Sequence, residues 1–221
     1  VRQQQSGFTL VEIAIVLVII GLLLGGVLKG QELINSAKVK NFANDFRNIP
    51  LFIYGYQDKF RALPGDDAAA VAHLGAGANV ATGTTLGNGT INGLWDSVTA
   101  TDESWLFWQH ARLANFAAGP TTWAAAAATD PYVPKNADGG RIGIQGGTAP
   151  ISGLAGSYYV CSSGIQGKFV LQLDTTMDDG NTAGGSMRAV ADGATNGSPL
   201  AAGVATASIV PGDSYTVCVA F

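Results

Sequence analysis

The chain has 221 residues, of which 13% are charged, with a formal net charge of −4, thirty glycines and two cysteines. So few charges, with no basic cluster among them, exclude a surface built to track a phosphate backbone, and no direct nucleic-acid site is evident. Beyond an apolar N-terminal stretch roughly 160 residues remain, enough for one hydrophobic core and too few for two large ones.

A short polar segment, VRQQQSG, precedes the run FTLVEIAIVLVIIGLLLGGVL at residues 8–28, in which the only polar side chains are Thr9 and Glu12. About 21 helical residues at 1.5 Å each reach roughly 30 Å, the thickness of the hydrocarbon layer, so the run is a membrane-spanning candidate. The competing readings are a buried core helix and a cleaved secretory signal, whose apolar part is usually about 7–15 residues and ends at small residues. An ionised Glu12 near hydrocarbon is costly unless it is paired. Arg2 lies too far upstream, and the next cation, Lys29, stands at the other end of the span. A cut between Gly7 and Phe8 would create an ammonium four residues before Glu12, on the same helical face or on that of a packed neighbour.

The string G-F-T-L-V-E at residues 7–12, followed by an unbroken apolar helix, resembles the processing site of type IV pilins and of the related pseudopilins of type II secretion. The resemblance implies a leader of residues 1–7, cut after Gly7 on the cytoplasmic side by a prepilin peptidase that also N-methylates Phe8. It implies that Glu12, with Thr9 beside it, registers each subunit against the Phe8 amine of a neighbour in a growing homopolymer. The implied partners are further copies of the chain, the peptidase and an inner-membrane assembly platform. The implied location is first the inner membrane, as a single-pass precursor with its N terminus in the cytoplasm, then a surface filament for adhesion, motility or DNA uptake, or a periplasmic pseudopilus. One departure stands out: many type IV pilins carry a proline about two-thirds through the first helix, where this chain has Lys29. It offers Gly21, Gly25, Gly26 and Gly30 instead, which either loosen the helix or permit close packing between helices.

From residue 29 to 60 the pattern becomes amphipathic. Val39, Phe42, Ala43, Phe46, Ile49 and Ile53 recur at three- and four-residue steps with polar residues between them. One helix is expected to run outward from the membrane, with a kink or short interruption at Pro50. The aromatics between Phe42 and Phe60 read as filling for a core; a stacked path for electrons along a filament is the sharper alternative. LPGDD, residues 63–67, then predicts a turn, and the Gly-rich stretch from Gly75 to Gly93 predicts loops. GTTLGNGTING lacks the Lys-Ser/Thr ending of a phosphate cradle.

TDESWLFWQHARLANF, residues 101–116, predicts a second helix capped by Thr101 or Asp102 and lying across a sheet. The progression LPGDD, GNGTING, ESWLFWQH is similar to that of a subgroup of prepilin-like proteins with enlarged heads. His73 and His110 are the only histidines and no hydrolase motif accompanies either, so no enzymatic activity is expected.

In the C-terminal third, GSYYVCSS and KFVLQLD predict a hairpin across GIQG, and SYTVCVAF a last strand. The expected fold is therefore α+β: a long N-terminal helix, half membrane-spanning and half amphipathic, packed on an antiparallel sheet in a head of residues 61–221. Cys161 and Cys218 each fall in a predicted strand of a segment that the N terminus would export, and we expect them to be bonded. The resemblance agrees, since pilins often pin their C-terminal segment by such a bridge. Asp174, Asp178 and Asp179 crowd one loop, where they can gather oxygen ligands for calcium or form an ordinary solvated turn. No other cofactor is expected.

Overall fold

A computed structural model of the chain describes residues 9–83, 85–198 and 200–221. The chain divides into two units, Val1–Lys38 and Val39–Phe221. A 51-residue helix, α1 (Leu10–Phe60), supplies the described structure of the first unit and opens the second.

In the first unit α1 is long and apolar enough to cross a membrane, and none of its apolar window is buried within the chain. Leu10 is 87% exposed and Leu22 73%, which argues against a core helix, because such a helix would bury one face in its own protein. The helix passes unbroken through Gly21, Gly25, Gly26 and Gly30, and a Cβ at any of the four would meet nothing within 4 Å.

In the second unit the stripe read from the sequence, Val39, Phe42, Ala43, Phe46, Ile49 and Ile53, is the buried one, and Tyr56 continues it. Pro50 lies inside the helix, and of the expected kink or short interruption the interruption is absent. A proline in a helix interior costs about 3 kcal/mol. Phe46 and Ile49 before it, and Ile53 and Tyr56 after it, are each 3% exposed or less, and burying such side chains contributes about 1.5–3 kcal/mol apiece. Packing on both sides therefore outweighs the missing amide.

The other helices are α2 (Ala70–Leu74), α3 (Glu103–Leu113) and α4 (Gly167–Met177), and the strands are β1 (Ile142–Gly146), β2 (Tyr158–Gln166), β3 (Met187–Ala191) and β4 (Ser214–Ala220). The strands form one antiparallel sheet in the order β1-β2-β4-β3. Helix α3 starts after Asp102, as expected. One face of the sheet, with Ile144, Val160, Val217, Val219 and Met187, shares a single core with Phe42 and Phe46 of α1, Trp105 to Trp108 of α3, and Phe169 of α4. The opposite face carries Tyr159, Cys161, Val190 and Cys218 under Trp95, Ile151 and Leu154. Burial on both faces explains why YYVC and TVCVA read as continuous apolar runs rather than alternating ones.

The expected hairpin is not there. KFVLQLD forms most of α4, and β2 pairs with β1 and β4 instead. So short an apolar run fits both the two-residue and the 3.6-residue period. The helix wins because Phe169, Val170, Leu173 and Asp174 then face inward together, while the hydroxyls of Thr175 and Thr176 donate back to the carbonyls of Leu171 and Gln172.

Candidate functional site

Two features stand out: the start of α1, and a buried polar knot in the head. Gly7 and Phe8 lie outside the described residues. Thr9 and Glu12 lie within them and form a reciprocal cap. The Thr9 amide donates to Glu12 Oε2 at 2.8 Å, the Thr9 hydroxyl donates to the same oxygen at 2.7 Å, and the Glu12 amide donates to Thr9 Oγ1 at 3.3 Å. This is the capping box that T-x-x-E encodes just before an apolar helix, and it satisfies two amides that the helix would otherwise leave without acceptors. A charge in an apolar run points to a cation as its partner. The first partner is Thr9, three residues before it in the same chain, and the T-x-x-E spacing was the signal that could have found it.

Above this cap the helix presents an apolar surface all round. Leu10, Leu17, Leu22, Leu24 and Leu28 are each at least 60% exposed, and from residue 10 to 28 only Glu12 carries a charge. The surface ends at Lys29, whose ammonium pairs with Glu32 at 2.7 Å; both side chains are 67% exposed, so the pair marks a polar boundary and adds little stability.

In the head, three segments separated along the chain meet around LPGDD. The Asp66 carboxylate, 3% exposed, accepts from the backbone amides of Gly87, Asn88 and Gly89. The glycine-rich loop thus does turn its amides toward an anion, and the anion is the protein's own aspartate. Asp67 accepts from the Tyr56 hydroxyl and from His73 Nδ1, each at 2.7 Å, and from the Ala69 amide. Burial pushes the Asp67 carboxyl up, but the bonds from Tyr56 and His73 outweigh it and hold the group below the usual carboxylate range. Burial, with Asp67 alongside, pushes the Tyr56 phenol well above its ordinary value.

Gly65 has a φ of +92°, open to glycine, and a Cβ there would overlap the Glu103 carbonyl. Its amide donates to His110 Nδ1 at 2.9 Å, so Nε2 carries the proton and donates to the Asn79 carbonyl at 2.7 Å. Burial pushes the His110 pKa down and keeps the ring neutral. Glu103 accepts from both the amide and the side chain of Asn92. The motif residues of all three segments are thus one hydrogen-bonded cluster that fastens the loops over the outer end of α1. Composition cannot reveal it, because the bonds that tie the segments together span 11 to 45 residues.

At the C-terminal end Cys161 and Cys218 stand opposite each other on β2 and β4 and are bonded. Closing 57 residues this way stabilises the head by up to about 4 kcal/mol in the chain-entropy treatment. Asp174, Asp178 and Asp179 are placed differently from one another. Asp174 is fully buried; the Gly180 and Asn181 amides lie near its carboxylate, but neither makes a hydrogen bond of good geometry to it. Asp178 accepts from the Met187 amide and Asp179 from the Asn181 amide, each at 2.8 Å. Among the described residues no three acidic, histidine or cysteine side chains come together as a set able to hold a metal ion.

Residues 2–28 match the family model of the prokaryotic N-terminal methylation motif. No curated protein and no solved structure matches the chain.

Proposed function

We propose that this chain, which carries the prepilin-type signature of type IV pilins and pseudopilins, is a structural subunit cleaved after Gly7, N-methylated at Phe8 and polymerised into a cell-surface filament. The observation that carries the reading is the first half of α1: an apolar helix that begins in the methylation motif and has no buried residue in its apolar window. Such a surface needs lipid before assembly and other helices after it, since lipid tails and packed side chains are the two environments that accept an all-round apolar helix. The glycines at 21, 25, 26 and 30 leave the helix free of obstruction where copies would approach one another.

The head contributes rigidity. Its disulfide, its two-sided sheet and the knot around Asp66 and Asp67 hold the second unit together as one compact body. The prepilin peptidase and an inner-membrane assembly platform are the partners this reading requires. Intact mass spectrometry of the protein from its native host tests it: the chain should begin at methyl-phenylalanine 8. A chain that retains residues 1–7 overturns the reading. Abundance then separates the alternatives, a dominant band in sheared surface fibres marking a major pilin and its absence there a pseudopilin or minor pilin.

A further inference from the structure

Arg112, on α3, is 6% exposed and faces no acid. Its Nε donates to the Ala118 carbonyl at 3.2 Å, and its Nη1 to the Pro120 and Tyr132 carbonyls at 2.9 and 2.8 Å. The guanidinium carbon lies 4.9 Å from the Tyr132 ring centroid, and a Cβ on Gly119 would stand only 2.7 Å from Nε. Nη2 is the edge left over: among the described residues no acceptor reaches it and no ion pair neutralises the charge. A guanidinium keeps its proton, so a buried one without an anion is costly.

The group lines a cavity of about 170 Å³ where α1, α3, the turn at Ala117 and Ala118, and the segment of Pro134 and Lys135 meet. Asp45, Asn48, Ile49 and Phe52 line it from one stripe of α1, and Trp108 stands one turn before Arg112. The Asp45 carboxylate, the Asn48 amide and the Lys135 ammonium also border this space, and among the described residues none of the three has a hydrogen-bond or ion-pair partner. Asp45 is half-buried, and removal from water pushes its carboxyl up to about 6. Acid and cations thus share one cavity without pairing across it. Convergent polar groups over apolar walls, here Ile49, Phe52 and Ile142, are the make-up of a ligand site.

We propose that this cavity binds one hexuronate unit, a sugar acid whose carboxylate sits on Arg112 Nη2 and Lys135 and whose ring hydroxyls bond to Asp45 and Asn48. The site is a property of the head alone and does not depend on the filament reading. Charge selects the class: two cations and one carboxylate leave a single positive charge, which a monoanion cancels and a zwitterionic amino acid does not. Size narrows it, since at about 30 Å³ per water the space holds roughly six waters, the bulk of one sugar ring and well below a drug-sized pocket. An aliphatic acid would leave Asp45 without a donor, and a neutral sugar would leave the guanidinium without an anion.

The test titrates the isotope-labelled full chain in detergent with sodium glucuronate at constant ionic strength and follows the Trp108 indole and the amides of Arg112, Ala117 and Lys135. The expected result is saturable shifts at these groups, with propionate and glucose each bound about tenfold more weakly or worse. This comparison uses the wild type and requires no variant to fold. Arg112 is left in place because its three bonds hold the turn after α3. Lys135→Ala should weaken glucuronate about fivefold or more. Asp45→Ala should weaken glucuronate by about as much and tighten propionate, because it removes an acceptor and a repelling charge together. Ala117→Leu, which fills the cavity, should abolish both. A disaccharide ending in glucuronate that binds as tightly identifies the end of a glycan as the source of the unit, and its exclusion identifies the free acid. Shifts that do not saturate, equal affinity for propionate or glucose, or glucuronate binding unchanged by Ala117→Leu overturns the proposal.

Discussion

Asp174 is wholly buried on α4, and burial pushes its carboxyl up to about 6; the Gly180 and Asn181 amides oppose the rise, while the charges of Asp178 and Asp179 add to it. The folded chain therefore holds this proton more tightly than the unfolded chain, where the ordinary value is 3.8. Its contribution to stability is fully present below pH 3.8 and is lost as pH rises through about 6. Comparing the melting of the detergent-solubilised wild type with that of Asp174→Asn isolates the effect. The gap between them should widen in the variant's favour from pH 4 to 7, by at most about 3 kcal/mol. A gap independent of pH would mean that the folded head tolerates the ionised carboxylate. Single residues were unevenly legible in the sequence. Glu12 was conspicuous because a charge in an apolar run has few neighbours to explain it, and Thr9 at its T-x-x-E spacing was readable by the same local logic. Asp66 was not, since its three donors lie 21 to 23 residues away on a loop that composition marks only as flexible.

Elements were legible in proportion to their length and to the clarity of their period. The stripe from Val39 to Ile53 repeats over four turns, so its buried face could be named residue by residue. Within residues 101–116 the same reasoning located α3, which starts after Asp102 and ends at Leu113, although the Asp102 side chain accepts from Ser97 rather than capping the helix. KFVLQLD has seven residues and no such redundancy, and its neighbours decided between helix and strand. β1 and β3, RIGIQGG and SMRAVA, were passed over because five-residue strands set among glycines carry almost no periodic signal. The helical assignment of α4 has a direct check in the backbone carbon chemical shifts of the labelled protein. Cα shifts from Lys168 to Thr176 should lie downfield of random-coil values, and upfield shifts there would restore the hairpin. Pro50 shows the opposite imbalance, a strong local signal for a break that was overruled by the packing of Phe46, Ile49, Ile53 and Tyr56.

At the scale of the whole molecule, the two units obey different physics. The head closes on itself: both faces of its sheet are covered, its cysteines are joined, and its motif aspartates are held by backbone amides. The first half of α1 closes on nothing within the chain, and its composition gives it two stable surroundings, lipid and other helices. Glu12 is the one charged side chain on that surface, and in the proposed filament it would be the group with most to gain from a neighbour's ammonium and so the group to fix the stagger between copies. Electron cryomicroscopy of sheared fibres from the native host tests this most directly. Residues 10–28 of neighbouring copies should pack together in the fibre core, with the Glu12 carboxylate within about 4 Å of the Phe8 nitrogen of an adjacent copy. Fibres in which these helices stand apart, or in which Glu12 faces no terminal amine, would contradict the account.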